Sequence, residues 1–99
     1  MKTLTALGLN KIATTYKNSL SHVLYKLDGI EGQTDFFKIE IKENTVIAYV
    51  FFDDSYKGTI SDIRVIDTDG DIVAEDKRVY ERTVEKALYV VFKHEFVEV

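Results

Sequence analysis

Ninety-nine residues are enough chain for one domain, and they include no cysteine, no proline and no tryptophan, with a formal net charge of −4. The absence of cysteine excludes disulfide frameworks, thiolate nucleophiles and Cys-ligated metal centres, and the absence of proline excludes proline-rich ligand segments. An apolar fraction of 45% with 30% charged residues is that of a folded chain rather than a disordered one.

Met1 to Thr5 lacks the apolar run of a signal peptide. The longest uninterrupted apolar runs, Val46 to Phe52 and Ala87 to Phe92, fall far short of the ~20 residues that span a bilayer. The expectation is a soluble protein made in the cytoplasm, with no membrane partner.

The charge is unevenly placed. Residues 1–30 hold Lys2, Lys11, Lys17 and Lys26 against the single acid Asp28, whereas the remainder holds nine basic residues against sixteen acidic ones. On a helical wheel Lys2 and Lys11 are half a turn apart, as are Lys17 and Lys26. They build no phosphate-tracking stripe, so no nucleic-acid partner is expected.

In chain order, residues 4–28 read as helical. Leu9, Ile12, Ala13, Tyr16, Leu20, Val23, Leu24 and Leu27 recur at three- and four-residue steps. Thr3 or Thr5 can cap the start. Asn18, Ser19 and Ser21 are poor interior helix residues that invite a break, and Asp28-Gly29 with Gly32 stops the segment. From residue 35 the period becomes two. Phe37, Ile39 and Ile41 alternate with Lys38, Glu40 and Lys42. A turn at Glu43-Asn44 leads into Thr45 to Phe52, apolar on both faces and so a central strand. A loop over 53–58 precedes a strand from Thr59 to Asp67, where a bulge near Ser61-Asp62 reconciles Ile60 with Ile63 and Val65. Asp69-Gly70 suits a type I′ hairpin turn, and Ile72 to Ala74 opens the next strand. Residues 79–84 are ambiguous. Leu88, Val90, Phe92 and Phe96 line one face of a long last strand. The fold class is therefore α+β: one domain, residues 1–99, with an N-terminal helical segment (4–28) packed on an antiparallel meander of about five strands (35–98).

Motifs for chemistry are weak. Asp67, Asp69 and Asp71 around Gly70 invite calcium, but an EF-hand loop wants Gly at its sixth position and an acid at its twelfth. Here Gly70 is fourth and Arg78 twelfth, so a hairpin turn is the better reading. His22 and His94 are the only imidazoles and follow no metal-ligand spacing. Ser19, Ser21 and His22 lack a nucleophile elbow. The acid pairs Asp53-Asp54 and Glu75-Asp76 fall at turns or on wet faces, and the five glycines form no phosphate-binding loop. No catalytic residue, cofactor or metal site is expected.

The six Phe and six Tyr are more informative. Two-faced apolar strands offer more area than one helix can cover, and the surplus is available for burial against another subunit or a larger assembly. The residues expected on such a surface are Tyr49, Phe51, Tyr56, Tyr89 and Val91. The expected partners are other protein subunits, self-association included.

The opening Leu4-Thr5-Ala6-Leu7-Gly8-Leu9-Asn10-Lys11-Ile12-Ala13, through Thr5, Gly8, Ile12 and Ala13, resembles the start of many phage and prophage tail-associated proteins. Gly58-Thr59-Ile60, Val65-Ile66-Asp67 before Asp69-Gly70, Ala74-Glu75 and Leu88-Tyr89-Val90-Val91-Phe92 are similar to the sheet of small tail-fibre-region proteins. These ninety-nine residues differ from a true fibre in containing no collagen-like or coiled-coil segment. The resemblance implies an accessory tail, baseplate or assembly protein that acts by protein contact, is found in the virion and is not an enzyme. Two other readings remain open: a small carbohydrate- or ligand-binding module with sheet aromatics as stacking platforms, and an enzyme using carboxylates such as Asp53 and Asp54.

Overall fold

The computed structural model describes residues 3–82 and 87–97. Among the described residues a single α-helix, α1 (Ala6–Ser19), is followed by eight strands: β1 (Leu20–Leu27), β2 (Ile30–Thr34), β3 (Lys38–Lys42), β4 (Thr45–Phe52), β5 (Gly58–Asp67), β6 (Ile72–Asp76), β7 (Tyr80–Arg82) and β8 (Leu88–Glu95). All pairings are antiparallel. The fold is α+β, but the strands form two sheets rather than one meander of about five. One sheet has the order β2-β1-β5-β6, with β7 also paired to β5. The other is β3-β4-β8.

The first correction falls at Leu20. Thr5 caps α1 as expected, its Oγ1 accepting from the Gly8 amide at 3.0 Å. The helix ends at Ser19, and 20–27 is a strand rather than a second half of the helix. Leu20, Val23, Leu24 and Leu27 satisfy helical spacing, yet the same residues are also a strand with apolar side chains on both faces. The run of Asn18, Ser19 and Ser21 breaks the helix, and pairing with β5 on one side and β2 on the other decides the rest. Asp28-Gly29 accordingly stops no helix. Asp28 (φ 52°) and Gly29 (φ 82°) both take left-handed conformations, the geometry of a type I′ hairpin turn between β1 and β2.

The two sheets pack face to face. Val23 and Tyr25 of β1 and Ile60, Ile63 and Val65 of β5 meet Ala48, Val50 and Phe52 of β4 and Val90 and Phe92 of β8. The expected bulge in β5 is present. Its register against β1 shifts between Leu24 and Lys26, and Asp62 has φ 55°, which lets Ile60, Ile63 and Val65 share one face. The Asp69-Gly70 turn differs in type. Only Gly70 has positive φ (86°), and its amide donates to the Asp67 carbonyl at 3.0 Å. This is a type I turn closed by a left-handed glycine, not type I′.

The helix closes one end of the sandwich. The Asn10 amide donates to the Glu43 carbonyl at 2.5 Å, Tyr16 packs on His94 and Phe96, and Ala13 is buried. At the opposite end Arg82 is buried, and its Nη1 donates to the carbonyls of Asp53 at 2.9 Å and of Phe52 and Tyr56 at 3.3 Å. It ties β7 to the β4–β5 loop. No helix of the described residues is long and apolar enough to cross a membrane.

Candidate functional site: the outer face of the three-stranded sheet

The two outer faces of the sandwich differ in chemistry. On the larger sheet, Lys26 pairs with Asp62 at 3.4 Å and Arg64 with Glu31 at 2.6 Å. Lys26 and Asp62 lie on the adjacent strands β1 and β5, and Arg64 of β5 reaches across β1 to Glu31 of β2.

The outer face of β3-β4-β8 is apolar at one end and charged at the other. Register places its residues in rows. Phe51 stands opposite Tyr89, Tyr49 lies between Lys38 and Val91, and Ile47 lies between Glu40 and Lys93. Phe37 joins the first row. Its ring centroid is 5.6 Å from Phe51 and 5.7 Å from Tyr89, while Phe51 and Tyr89 are 4.8 Å apart. These tilted and edge-on contacts suit aromatic quadrupoles. Phe37 is 55% exposed, Tyr89 52% and Val91 45%. Lys38 borders the patch, with its ammonium 4.8 Å from the Tyr49 centroid and 2.7 Å from the Glu40 carboxylate. That carboxylate raises the Lys38 pKa above its ordinary value.

Four of the five residues expected at an interaction surface, Tyr49, Phe51, Tyr89 and Val91, thus share one face. Tyr56 does not. It packs edge-on against Tyr25 and Phe52, with centroids at 5.7 and 5.2 Å, beside the core at the Arg82 end. A loop residue has no strand alternation to reveal its direction. Phe37 is the residue that alternation places wrongly. Period two groups it with Ile39 and Ile41 on the buried face, but its amide donates to the carbonyl of Tyr49, the residue that already faces Lys38. The resulting irregularity turns Phe37 outward, and Phe36 packs on the core in its place. The doublet Phe36-Phe37 before a strand was the available signal.

The remaining chemical candidates are held in structural roles. Asp53 accepts from the Ser55 hydroxyl and amide, the first of which chiefly lowers its pKa. A general acid at neutral pH needs the opposite direction. Asp76 accepts from Arg78 at its amide, Nε and Nη2 and from the Tyr80 hydroxyl. These bonds, led by the Arg78 side chain, hold its carboxyl at about 2. Asp67, Asp69 and Asp71 do bring carboxylate oxygens within 4.8 Å of one another. Asp67 Oδ1 accepts the amides of Asp69 and Asp71 at 3.0 and 2.9 Å, which accounts for its position as a turn residue. His22 Nδ1 lies 2.9 Å from the hydroxyl of its neighbour Ser21, and His94 packs on Tyr16. The two histidines belong to separate settings, and neither joins the aspartate cluster.

A cleft of about 420 Å³ lies between the start of α1 and the β3–β4 turn, lined by Ala6, Leu9, Glu43 and Asn44. It gathers one carboxylate and one amide, with no convergent set of polar groups. Comparison with protein-family models, with curated proteins and with solved structures finds no match to this chain.

Proposed function

We propose that this chain is a structural component that works by protein–protein contact, docking through the outer face of β3-β4-β8 in a phage or prophage tail or baseplate assembly. The observation that carries the reading is the patch of Phe37, Tyr49, Phe51, Tyr89 and Val91, three of whose side chains are about half exposed. A row of clustered aromatics bordered by Lys38, Glu40 and Lys93 has the make-up of an interface, with an apolar centre and a charged rim. The opposite face, with its charges matched, has the make-up of a solvated surface. The tail assignment rests on the likeness of Thr5, Gly8, Ile12 and Ala13, and of the later sheet blocks, to tail-associated proteins.

The test is composition of the particle. Mass spectrometry of tails purified after induction of the lysogen should detect the chain, and a Phe37→Ser, Tyr89→Lys variant should be lost from them while remaining folded. Absence of the wild-type chain from purified tails, with metabolic genes flanking its own, refutes the assignment.

The half-exposed rings of Phe37 and Tyr89 also support a second reading, a carbohydrate-stacking platform. A rise in melting temperature with one sugar of a panel, abolished by Tyr89→Ala, would favour it.

A further inference from the structure

The sheet edges are unequally protected. Along β3 the outward side chains Lys38, Glu40 and Lys42 are all charged. β2 and β6 are five residues long and β7 three. By contrast β8 is eight residues long and is the outer strand of its sheet among the described residues. Its register with β4 runs without a bulge from Leu88 to Glu95, and Leu88 to Phe92 carries no charge. Folded proteins blunt long edges with charges, bulges or prolines, and β8 has such protection only at Lys93 and Glu95. A cleft of about 260 Å³ separates β8 from the β6–β7 turn, bordered by Glu75, Arg78, Val91 and Lys93.

The direction of the free backbone groups follows from the ladder. The Phe96 amide donates to the Asn44 carbonyl at 2.9 Å, one step beyond the Thr45–Glu95 pair. Hydrogen-bonded and non-bonded pairs alternate in an antiparallel ladder. Val90, Phe92 and His94 therefore turn their backbone groups toward β4, while Tyr89, Val91, Lys93 and Glu95 turn theirs to the edge that no described strand covers. An added extended strand matches such a row of alternating donors and acceptors and replaces its bonds to water.

We propose that β8 pairs antiparallel with β8 of a second copy, joining two three-stranded sheets into one six-stranded sheet. The inference rests on the reading of the chain as a contact protein, but it uses the strand edge rather than the sheet face. The sequence of β8 is its own complement. With Val91 opposite Val91 of the second copy on the symmetry axis, Tyr89 stands opposite Lys93 of the second copy on both sides. A lysine over a tyrosine ring is an attractive pair, and the same contact already exists within the sheet between Lys38 and Tyr49. Placing Lys93 on the axis sets like charges directly opposite, and placing Phe92 there sets Glu95 against the Tyr89 ring. The Val91 register exchanges about six backbone hydrogen bonds, two for each bonded pair. It also makes the aromatic patches of the two copies neighbours on one continuous face.

The 99-residue chain should sediment at twice its 11.4 kDa mass. The amides of Tyr89 and Val91 should exchange with solvent as slowly as those of Val90 and Phe92, and become fast on dilution to monomer. Val91→Lys brings two lysines together on the axis. Because Val91 is 45% exposed and outside the core, the variant should keep its far-UV spectrum while dimerisation weakens by at least roughly tenfold. Tyr49→Lys, on the central strand, should leave the dimer intact. A wild-type chain that stays monomeric at millimolar concentration overturns the proposal. So does a dimer lost in Tyr49→Lys but kept in Val91→Lys, which would mean face-to-face docking and leave the proposed function standing. If Val91→Lys fails to fold, amide exchange in the wild type decides: a fast Val91 amide in a proven dimer overturns edge pairing. An intact dimer that is absent from purified tails refutes the proposed function and leaves the edge pairing in place.

Discussion

Asp76 closes β6, and its carboxylate organises the turn that returns the chain as β7. It accepts the Arg78 amide and Nε at 3.0 Å each, Arg78 Nη2 at 2.9 Å and the Tyr80 hydroxyl at 2.6 Å. The Asp76 side chain is 8% exposed. Asp76→Asn replaces one acceptor oxygen by an NH₂ that faces donors, so at least one of these bonds becomes a repulsion. The pKa is lowered from the ordinary 3.8 to about 2, first by the Arg78 side chain. At about 1.36 kcal/mol per pH unit this corresponds to roughly 2 kcal/mol. The Arg78 side chain is 71% exposed, and solvent screening of that partner reduces the expected contribution to about 1–2 kcal/mol. Because the folded-state pKa lies below the unfolded one, this stability is complete above about pH 4 and disappears as pH falls toward about 2. Urea unfolding should therefore find Asp76→Asn less stable by about 1–2 kcal/mol near neutral pH, with the gap from wild type narrowing through that acid window. Equal midpoints at neutral pH, or a gap that does not narrow in acid, would refute the reasoning.

The same hydroxyl contact predicts an alkaline transition. Burial, then the bond to Asp76, raises Tyr80 to about 12. Stability tied to the neutral phenol is complete below about pH 10 and falls as pH rises toward 12, which a pH titration of tyrosinate absorbance alongside circular dichroism would follow. Phe52 is fully buried and edge-on to Tyr25 and Tyr56. Phe52→Ala should cost about 3–5 kcal/mol in denaturant unfolding. Gly32 faces Tyr25 across β1 and β2, and a Cβ there would lie 2.6 Å from the Tyr25 ring. That ring is wedged against Phe52 and Tyr56, so Gly32→Ala should destabilise by about 1–3 kcal/mol. Arg82→Met removes the cation whose Nη1 reaches three carbonyls. Leaving those carbonyls without it should cost about 1–3 kcal/mol and speed hydrogen exchange in residues 53–57.

Much of the second half of the chain was legible because local chemistry and tertiary demand agree there. Ile39 and Ile41 alternate with charges and form a strand. Thr45 to Phe52 is apolar on both faces and is the central strand of its sheet. The displacement of Ile60 from Ile63 and Val65 predicted the bulge that Asp62 makes. Of the ambiguous stretch 79–84, residues 83 and 84 lie outside the described residues, and Tyr80–Arg82 is a short strand. Of the outer face of β3-β4-β8, Tyr49, Phe51, Tyr89 and Val91 followed from strand period alone.

What remained hidden depended on partners distant in sequence. Leu20, Val23, Leu24 and Leu27 fit a helix and a two-faced strand equally, and only the hydrogen bonds offered by β2 and β5 separate the two. Tyr56 and Phe37 changed sides because a loop and a backbone irregularity, not periodicity, set their directions. The single meander of about five strands became two sheets for the same reason: alternation identifies which face of a strand is buried but not what buries it. Sequence by itself determined that these ninety-nine residues fold from an N-terminal helical segment followed by strands, without cysteine chemistry, since composition and local period act within a few residues. Only the tertiary structure decided that the two apolar faces close on each other, leaving a charged outer surface on one sheet and an aromatic one on the other. Burial is a pairing of surfaces, and that pairing is made across the whole chain.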